Sequence, residues 1–400
     1  MKRKSIVWLL VATLLVGCNS AKESEKKQDI VRSLETQEEM KGIDTEKLED
    51  VLHTIEHVSS IDCVGNDQAL IVADKMYLID VSNGTLLAKN EIDESFLGKI
   101  KVYNIDGKGF AILSIKNKDK EAKVKKENTF SMTIGEDTYI SVCYYDETLQ
   151  CTKEINVSDE WEINTMSIEN VAMDRKGNLA IYDEDAGCLY YCNSATKKKR
   201  KVLKAVRKRL IYDKKLEFCI SNGLEFTEDD KKLLFGVTCM DLSSGESSVD
   251  GCGSVDVNGE NLFVEQIGEE YSVMYHRDGK AVFSQSCGFT IPTGEIYVYD
   301  TADDSRKGVK LTSSEESDNV DLSDQGKLMA TSCVEGKNSW KLSFYDVETG
   351  ELMQAKVYDK WNTEQYLNPR IFVFEELNIA ILFIRTTEEN GRDVLEVLHL

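Results

Sequence analysis

A strand-turn-strand unit recurs along this chain and sets the scale on which it can fold. The clearest copies run Val171-Ala-Met-Asp-Arg-Lys-Gly177-Asn-Leu-Ala-Ile, Val273-Met-Tyr-His-Arg-Asp-Gly279-Lys-Ala-Val-Phe and Val320-Asp-Leu-Ser-Asp-Gln-Gly326-Lys-Leu-Met-Ala. Weaker copies lie at Val102 to Gly109, Leu224 to Leu233, Ile61 to Leu70 and Phe372 to Ile381. The turn positions of the seven copies, Asn66, Gly107, Gly177, Asp230, Gly279, Gly326 and Leu377, are 41 to 70 residues apart, most of them near 50. A unit of that length holds one small sheet, which cannot bury its faces alone and must stack on its neighbours. The period therefore predicts an all-β chain, a seven-bladed β-propeller of four-stranded antiparallel blades, with six or eight blades as alternatives.

A second landmark falls inside the same units: an aromatic or aliphatic strand ending in Asp, a tight turn, and another strand. It reads Tyr77-Leu-Ile-Asp80-Val-Ser-Asn-Gly84, Ser254-Val-Asp256-Val-Asn-Gly259-Glu, Tyr297-Val-Tyr-Asp300 and Ser343-Phe-Tyr-Asp346-Val-Glu-Thr-Gly350-Glu. Asp and Asn bond their own turns and Gly takes positive φ, so this is the expected hairpin between the third and fourth strands of a blade. Over about residues 58 to 400 the pattern resembles WD-repeat and quinoprotein-like propellers, although the Gly-His and Trp-Asp signatures of true WD repeats are absent.

The last unit, from Arg370 to Leu400, has room for three strands only, at about 370 to 376, 378 to 385 and 393 to 400. An open edge there needs covering, and a strand from about residues 50 to 57 is the expected closure. Leu48, Val51, Leu52 and Ile55 also fall at helical spacing, so a short docking helix competes with that strand. Residues 19 to 50 are polar and charged and read as a tether, which leaves 51 to 400 as the propeller. With only Pro292 and Pro369 in the chain, no proline-rich linker divides it further.

The N-terminus carries Lys2, Arg3 and Lys4, a roughly 11-residue apolar run from Ile6 to Val16, and the closing string Leu15-Val16-Gly17-Cys18. The run is far short of the roughly 20 residues that cross hydrocarbon. The segment resembles the signal peptide and lipobox of bacterial lipoproteins. That resemblance implies a signal peptide at residues 1–17, a diacylglycerol on the Cys18 thiol, and cleavage before it. The chain would then be held at the extracytoplasmic face of the cell membrane by its acyl chains.

The chain has a net charge of −22, and loss of the three leader cations makes it more acidic still. Such a body should not bind nucleic acid or anionic lipid over most of its surface. One stretch departs from this. Lys197, Lys198, Lys199, Arg200, Lys201, Lys204, Arg207, Lys208 and Arg209 place nine cations within 13 positions, on the outermost strand of the third unit. It reads either as Lys protecting an exposed edge or as a contact with an anionic wall polymer, lipid headgroups or an acidic partner.

Trp161, Trp340 and Trp361 fall in loops that open on one propeller face, and the Lys-rich insertion Lys116 to Asn128 joins them. They are either core residues or a recognition surface, and as a surface each should be partly exposed. Cys143 and Cys151 flank the Asp146 to Leu149 turn and are candidates for a cross-strand disulfide, whereas Cys188 and Cys192 lie too far apart on one strand to bond.

Candidate chemistry is sparse. His53-Thr-Ile-Glu56-His57 matches the H-x-x-E-H string of inverted zinc peptidases, yet it lies between tether and propeller and reads as a closure segment. No catalytic residue, metal site or cofactor is indicated. The sequence points to a noncatalytic surface module that binds a protein or an extracytoplasmic glycan. The alternative is a propeller enzyme of lactonase, lyase or hydrolase type acting on a sugar-like substrate at the central channel.

Overall fold

The computed structural model describes residues 45–400 except 65–66, 93–95, 107–108, 119–136, 166, 204–215, 228, 242–247, 269–270, 278–279, 288–289, 301–304, 311–318, 336–337 and 389–390. Seven antiparallel sheets follow one another along the chain, six of four strands and one of three. Their first strands are Ser60–Cys63, Phe96–Ile105, Val171–Met173, Leu216–Phe226, Tyr271–Arg277, Asn319–Leu322 and Arg370–Phe374. All seven repeat turns fall between the first and second strands of these sheets, although Asn66, Gly107 and Gly279 themselves lie outside the described residues. The Asp-ending landmark falls between third and fourth strands in the first, fourth, fifth and sixth sheets, at Asp80, Asp256, Asp300 and Asp346.

The turn chemistry follows the residue types. Asp174 accepts the backbone N–H groups of Lys176 at 3.0 Å and Asn178 at 2.8 Å, and Gly177 between them takes φ +80°. Asp346 does the same for Thr349 at 2.6 Å. A short side-chain acceptor ahead of a left-handed residue makes a turn that needs nothing from elsewhere in the chain.

Burial grades from the inside of each sheet outward. Every residue of the second strand Ile379–Ile384 is buried, whereas the fourth strands Thr85–Glu91 and Leu352–Tyr358 contain no buried residue. A strand with a sheet on both sides reads as a continuous apolar run, and a rim strand does not. The core is accordingly divided between successive sheets. Ile112 and Phe110 of the second sheet meet Leu70 and Val72 of the first, and Leu113 and Val142 meet Val171 and Ile181 of the third. Phe235 and Val255 of the fourth meet Leu189 of the third, and Phe344 of the sixth meets Val373 of the seventh.

One further core, between the first and seventh sheets, joins the two ends of the domain. The seventh sheet holds three strands, Arg370–Phe374, Ile379–Ile384 and Val394–His399. The chain ahead of Ile61 closes the ring with a helix, Thr45–Leu52, and not with a strand at 50 to 57. Leu48 and Leu52, four residues apart and so on one helix face, are 0% and 1% exposed. With Ile55 and Val58 they pack between Phe374, Ile379 and Leu395 of the seventh sheet and Ala69, Ile71 and Ile79 of the first. The helical spacing prevails because the gap between two sheets accepts a wide apolar stripe, which a strand alternating inward and outward cannot supply. Gly84 allows the approach: at φ +60°, a Cβ added there would meet the backbone nitrogen of Leu48 at 2.5 Å. The helix begins at Thr45, within the stretch read as tether.

Beyond the helix, the His53 carbonyl accepts a hydrogen bond from Arg392, and the same guanidinium lies 3.8 Å from Glu56. His57 has φ +56°, so His53 and His57 do not share a helix face. Among the described residues no helix is long and apolar enough to cross a membrane. Among them, too, no group of three His, Cys, Asp or Glu is placed to hold a metal ion.

Candidate functional site

The basic run lies on the strand Lys198–Leu203, at the outer edge of the third sheet; the run beyond Leu203 lies outside the described residues. Lys197 to Lys201 are exposed, and Val202 and Leu203 turn into the core. Register places Arg200 opposite Tyr191, Lys201 opposite Tyr190, Lys199 opposite Cys192 and Lys198 opposite Asn193. Directly opposed residues share a face, so cations project from both faces of the strand.

On one face Lys199 and Lys201 lie 5.8 and 5.6 Å from the Tyr190 ring centre. On the other the Arg200 guanidinium lies 5.6 Å from that of Tyr191. The Tyr191 hydroxyl donates to Asp174 at 3.2 Å, and burial, then that carboxylate, push the phenol up from its ordinary range. The ring is thus fixed as a neutral platform for the guanidinium.

The same side chains reach both neighbouring sheets. The short helix Val157–Trp161 follows the second sheet, is capped by Asn156 at its start and ends at Glu162 in the left-handed region. Lys199 Nζ donates to the carbonyls of Trp161 at 2.7 Å and Glu162 at 3.1 Å, where a helix end favours a cation. Lys197 pairs with Glu160 of that helix, and its ammonium lies 5.6 Å from the Trp161 ring centre. In the other direction Arg200 donates to Val257 O of the fourth sheet at 2.9 Å. Among the described residues no carboxylate pairs with Lys198, Lys199, Arg200 or Lys201, while Lys75, Lys116, Lys231, Lys327, Lys360 and Arg370 all have one.

The tryptophans do not form one exposed face. Trp340 is 0% exposed and Trp161 is 4% exposed. Trp340 opens the strand Trp340–Asp346 and stacks on Tyr358 with ring centres 6.4 Å apart, in the core between the sixth and seventh sheets. Trp161 packs with Val157, Ile163 and Ile168 between the second and third. Trp361 alone is partly exposed, against Tyr366 at 5.3 Å. Trp161 ends a short helix and Trp340 begins a strand, so neither is the loop residue its spacing suggested. Burial followed instead from the gap between sheets that each one fills.

Cys143 and Cys151 are not disulfide bonded. Tyr145 pairs with Cys151, and a bulge between Tyr144 and Tyr145 then sets Cys143 opposite Glu154. Three residues of strand, roughly 10 Å, separate the two thiols along the sheet, beyond what a disulfide spans. Cys143 is buried beside Ser141, and Cys151 is exposed. Of the Lys-rich insertion only Lys116 to Lys118 are described. Lys116 is 1% exposed and bonds Glu154 at 3.0 Å.

A polar cluster that no local motif announced lies among the first strands, which converge on the axis. Lys101 Nζ is 2.9 Å from Glu225 and 3.5 Å from Glu169. The Tyr103 hydroxyl lies 3.3 Å from the second oxygen of Glu225. Burial works against the Lys101 charge, but Glu225, with Tyr103 and Glu169, outweighs it and raises the ammonium above its ordinary value. Tyr103 is raised as well, by burial first and then by Glu225. A lysine held protonated and a phenol held neutral are poor bases, so the cluster is suited to joining the second, third and fourth sheets. A second axial pair, Arg370 to Asp321 at 2.6 Å, joins the sixth and seventh sheets, with Asp321 also accepting Ile371 N–H at 2.9 Å.

No family model matches this chain, and no curated protein does. Solved structures do. The β-propeller domain of Cps50 (Swd1) from Myceliophteria thermophila superposes with a TM-score of 0.50 at 10% identity, over 86% of this chain and 97% of that one. TolB from Acinetobacter baumannii gives 0.34 at 16% identity, over 84% and 79%. A prolyl endopeptidase gives 0.45 at 14%, over 84% of this chain and 47% of that chain, so the chain spans about half the length of that relative. At such identities the likeness to the Cps50 domain carries the fold alone, and that fold is a β-propeller.

Proposed function

We propose that this chain is a lipid-anchored lipoprotein at the extracytoplasmic face of the bacterial cell membrane, and that its propeller is a noncatalytic binding or scaffold module for a protein or glycan. The anchoring part rests on the basic leader, the short apolar run and Leu15-Val16-Gly17-Cys18. The binding part is carried by one observation: Lys198, Lys199, Arg200 and Lys201 are exposed with no carboxylate partner among the described residues, in a chain with 71 acidic against 49 basic residues. A cation run left unmatched amid excess carboxylate is complementary to a partner that brings its own negative charge.

The axial cluster is what favours the enzyme alternative, since Glu225 keeps a quarter of its side chain exposed beside Lys101. Its one cation is already shared between two carboxylates, Glu225 and Glu169, which weighs for the binding reading. Membrane partition and intact mass of the wild type and Cys18→Ala test the anchor: loss of partition and of the lipid mass is expected, and an unchanged variant overturns it. Cross-linking of the full chain in its own cells, followed by isolation, tests the module. Specific capture of a protein or glycan is expected, and turnover of a sugar lactone or uronide without capture would transfer the reading to the enzyme.

A further inference from the structure

Four Asn-Gly pairs stand in this chain, at Asn83, Asn222, Asn258 and Asn390. Such a pair can modify itself, because a glycine nitrogen meets no Cβ of its own when it attacks the preceding side-chain amide carbon. To attack, the nitrogen must give up its proton and turn toward that carbon. An N–H held by a carbonyl resists both changes. The Gly259 N–H donates to Asp256 O at 2.7 Å, and the Gly391 N–H to Glu388 O at 3.0 Å. Gly223 lies inside the strand Leu216–Phe226. Gly84 differs: among the described residues its N–H donates to no acceptor, although Gly350, in the equivalent turn of the sixth sheet, donates to Asp346 O at 2.8 Å. Asn83 and Asn258 are otherwise closely matched. Both are exposed, and both carboxamides donate to a carboxylate, Asn83 to Asp80 at 2.8 Å and Asn258 to Glu260 at 3.0 Å. The Asn258 Oδ1 also accepts the Glu260 N–H at 2.9 Å, which fixes the group that would be attacked.

Asn83 also stands where a change in the main chain is felt. A Cβ added at Gly84 would lie 2.5 Å from the Leu48 nitrogen and 2.9 Å from the Lys47 carbonyl carbon, and Lys47 Nζ donates to Thr85 Oγ1 at 2.9 Å. The turn is pressed against the helix that closes the ring. We infer that Asn83-Gly84 is a self-modification site whose isoaspartate product loosens that closure, whatever the propeller binds. The Gly84 nitrogen loses its proton to a solvent base and bonds to Asn83 Cγ. The Cγ–Nδ2 bond breaks, and the nitrogen takes a proton from water and leaves as ammonia. The product is a five-membered imide. Water then opens it at one of two carbonyls, with no change of oxidation state. Opening at Cγ leaves an aspartate at position 83. Opening at the main-chain carbonyl leaves an isoaspartate, whose Cβ now lies in the main chain. That lengthens the backbone by one bond, about 1.5 Å, at a contact with no room for an added carbon.

The test ages the full chain in neutral detergent at about pH 7 and about pH 9, and maps its peptides by mass spectrometry with fragmentation that separates aspartate from isoaspartate. Conversion at Asn83 should run at least fivefold faster than at Asn258, and faster at the higher pH because the attacking nitrogen is deprotonated. In urea the two residues should convert within twofold of each other, which assigns the difference to the fold. Equal rates in the folded chain overturn the inference, as does a ratio that urea leaves unchanged. Chains carrying the isoaspartate are then separated from unaged wild type. They should melt at a lower temperature and lose exchange protection in Gln68–Val72 and Ile379–Ile384, the strands that flank the closing helix. Asn83→Asp brings the charge without the extra bond and should keep both, and Asn83→Gln aged in parallel should keep its midpoint. An isoaspartate chain that matches wild type overturns the loosening. So does an equal loss in Asn83→Asp, which would assign it to charge, or in aged Asn83→Gln, which would assign it to another residue.

Discussion

Replacing Leu52 with Ala tests the seam between the first and seventh sheets. Leu52 is 1% exposed and packs in the core that joins Ile379 and Leu395 to Ile71 and Ile79. Three carbons are removed, at about 0.8 kcal/mol per buried methylene, or ~2.4 kcal/mol of transfer. The cavity adds to this because both flanking sheets are held by their own ladders and collapse little, for a total of about 3 to 5 kcal/mol. Urea unfolding followed by tryptophan fluorescence measures it, with Leu86→Ala as the control. Leu86 is 39% exposed on the rim strand Thr85–Glu91, and its loss should cost less than about 0.5 kcal/mol. Hydrogen exchange then locates the damage. Protection should fall in Gln68–Val72 and Ile379–Ile384 while Leu179–Asp183 in the third sheet keeps its own. A Leu52→Ala midpoint matching wild type, or a uniform loss of protection around the ring, would refute the seam.

Trp340→Ala should cost about 3 to 5 kcal/mol and Trp361→Ala distinctly less, measured by the same unfolding curves; equal losses would contradict their different burial. Iodoacetamide labelling read by mass spectrometry should modify Cys151 quickly and Cys143 only after unfolding, because burial shields the Cys143 thiol and raises it from its ordinary value. Burial alone would raise Glu154, but hydrogen bonding and charge from Lys116, with Tyr139 and Ser141 donating, hold it below its usual 4.5. A lowered carboxylate stabilises the fold above its unfolded value, and the contribution is lost as pH falls through the folded one. Wild type should therefore lose stability below about pH 4.5 more steeply than Glu154→Gln, and parallel urea midpoints between pH 3 and 6 would contradict it.

The turn at Gly177 was legible in the sequence because it is local: Asp174 accepts its own turn and Gly177 takes the positive φ, while the one at Gly326 adds to Ser323 a distant acceptor, Glu375, that the sequence does not announce. The closing element was not decided there, since Leu48, Val51, Leu52 and Ile55 satisfy a helix while the missing fourth strand asks for a strand. What resolved it was the width of the gap between sheets, a property of residues more than 300 positions away. The cysteine pairing failed on register: Cys151 pairs with Tyr145, which by itself would set Cys143 opposite Lys153, and the bulge between Tyr144 and Tyr145 carries it one residue further, to Glu154. Lys101, Glu169 and Glu225 carried no signal at all: each is an isolated charge at the start of a unit, and only the convergence of first strands brings them together.

The helix Thr45–Leu52 has a mechanical consequence. A pull transmitted along the chain from ahead of Thr45 enters the described residues at this helix, and the helix also packs the first sheet against the seventh. If Cys18 is held in a membrane and the propeller is held by its partner, as proposed, any drift between the two loads that one joint. The load would peel apolar side chains from a groove one after another, which yields at lower force than shearing a ladder of strand hydrogen bonds all at once. The joint where the propeller is suspended is then the first to give, and its release would open the ring between the first and seventh sheets while the other sheets kept their ladders.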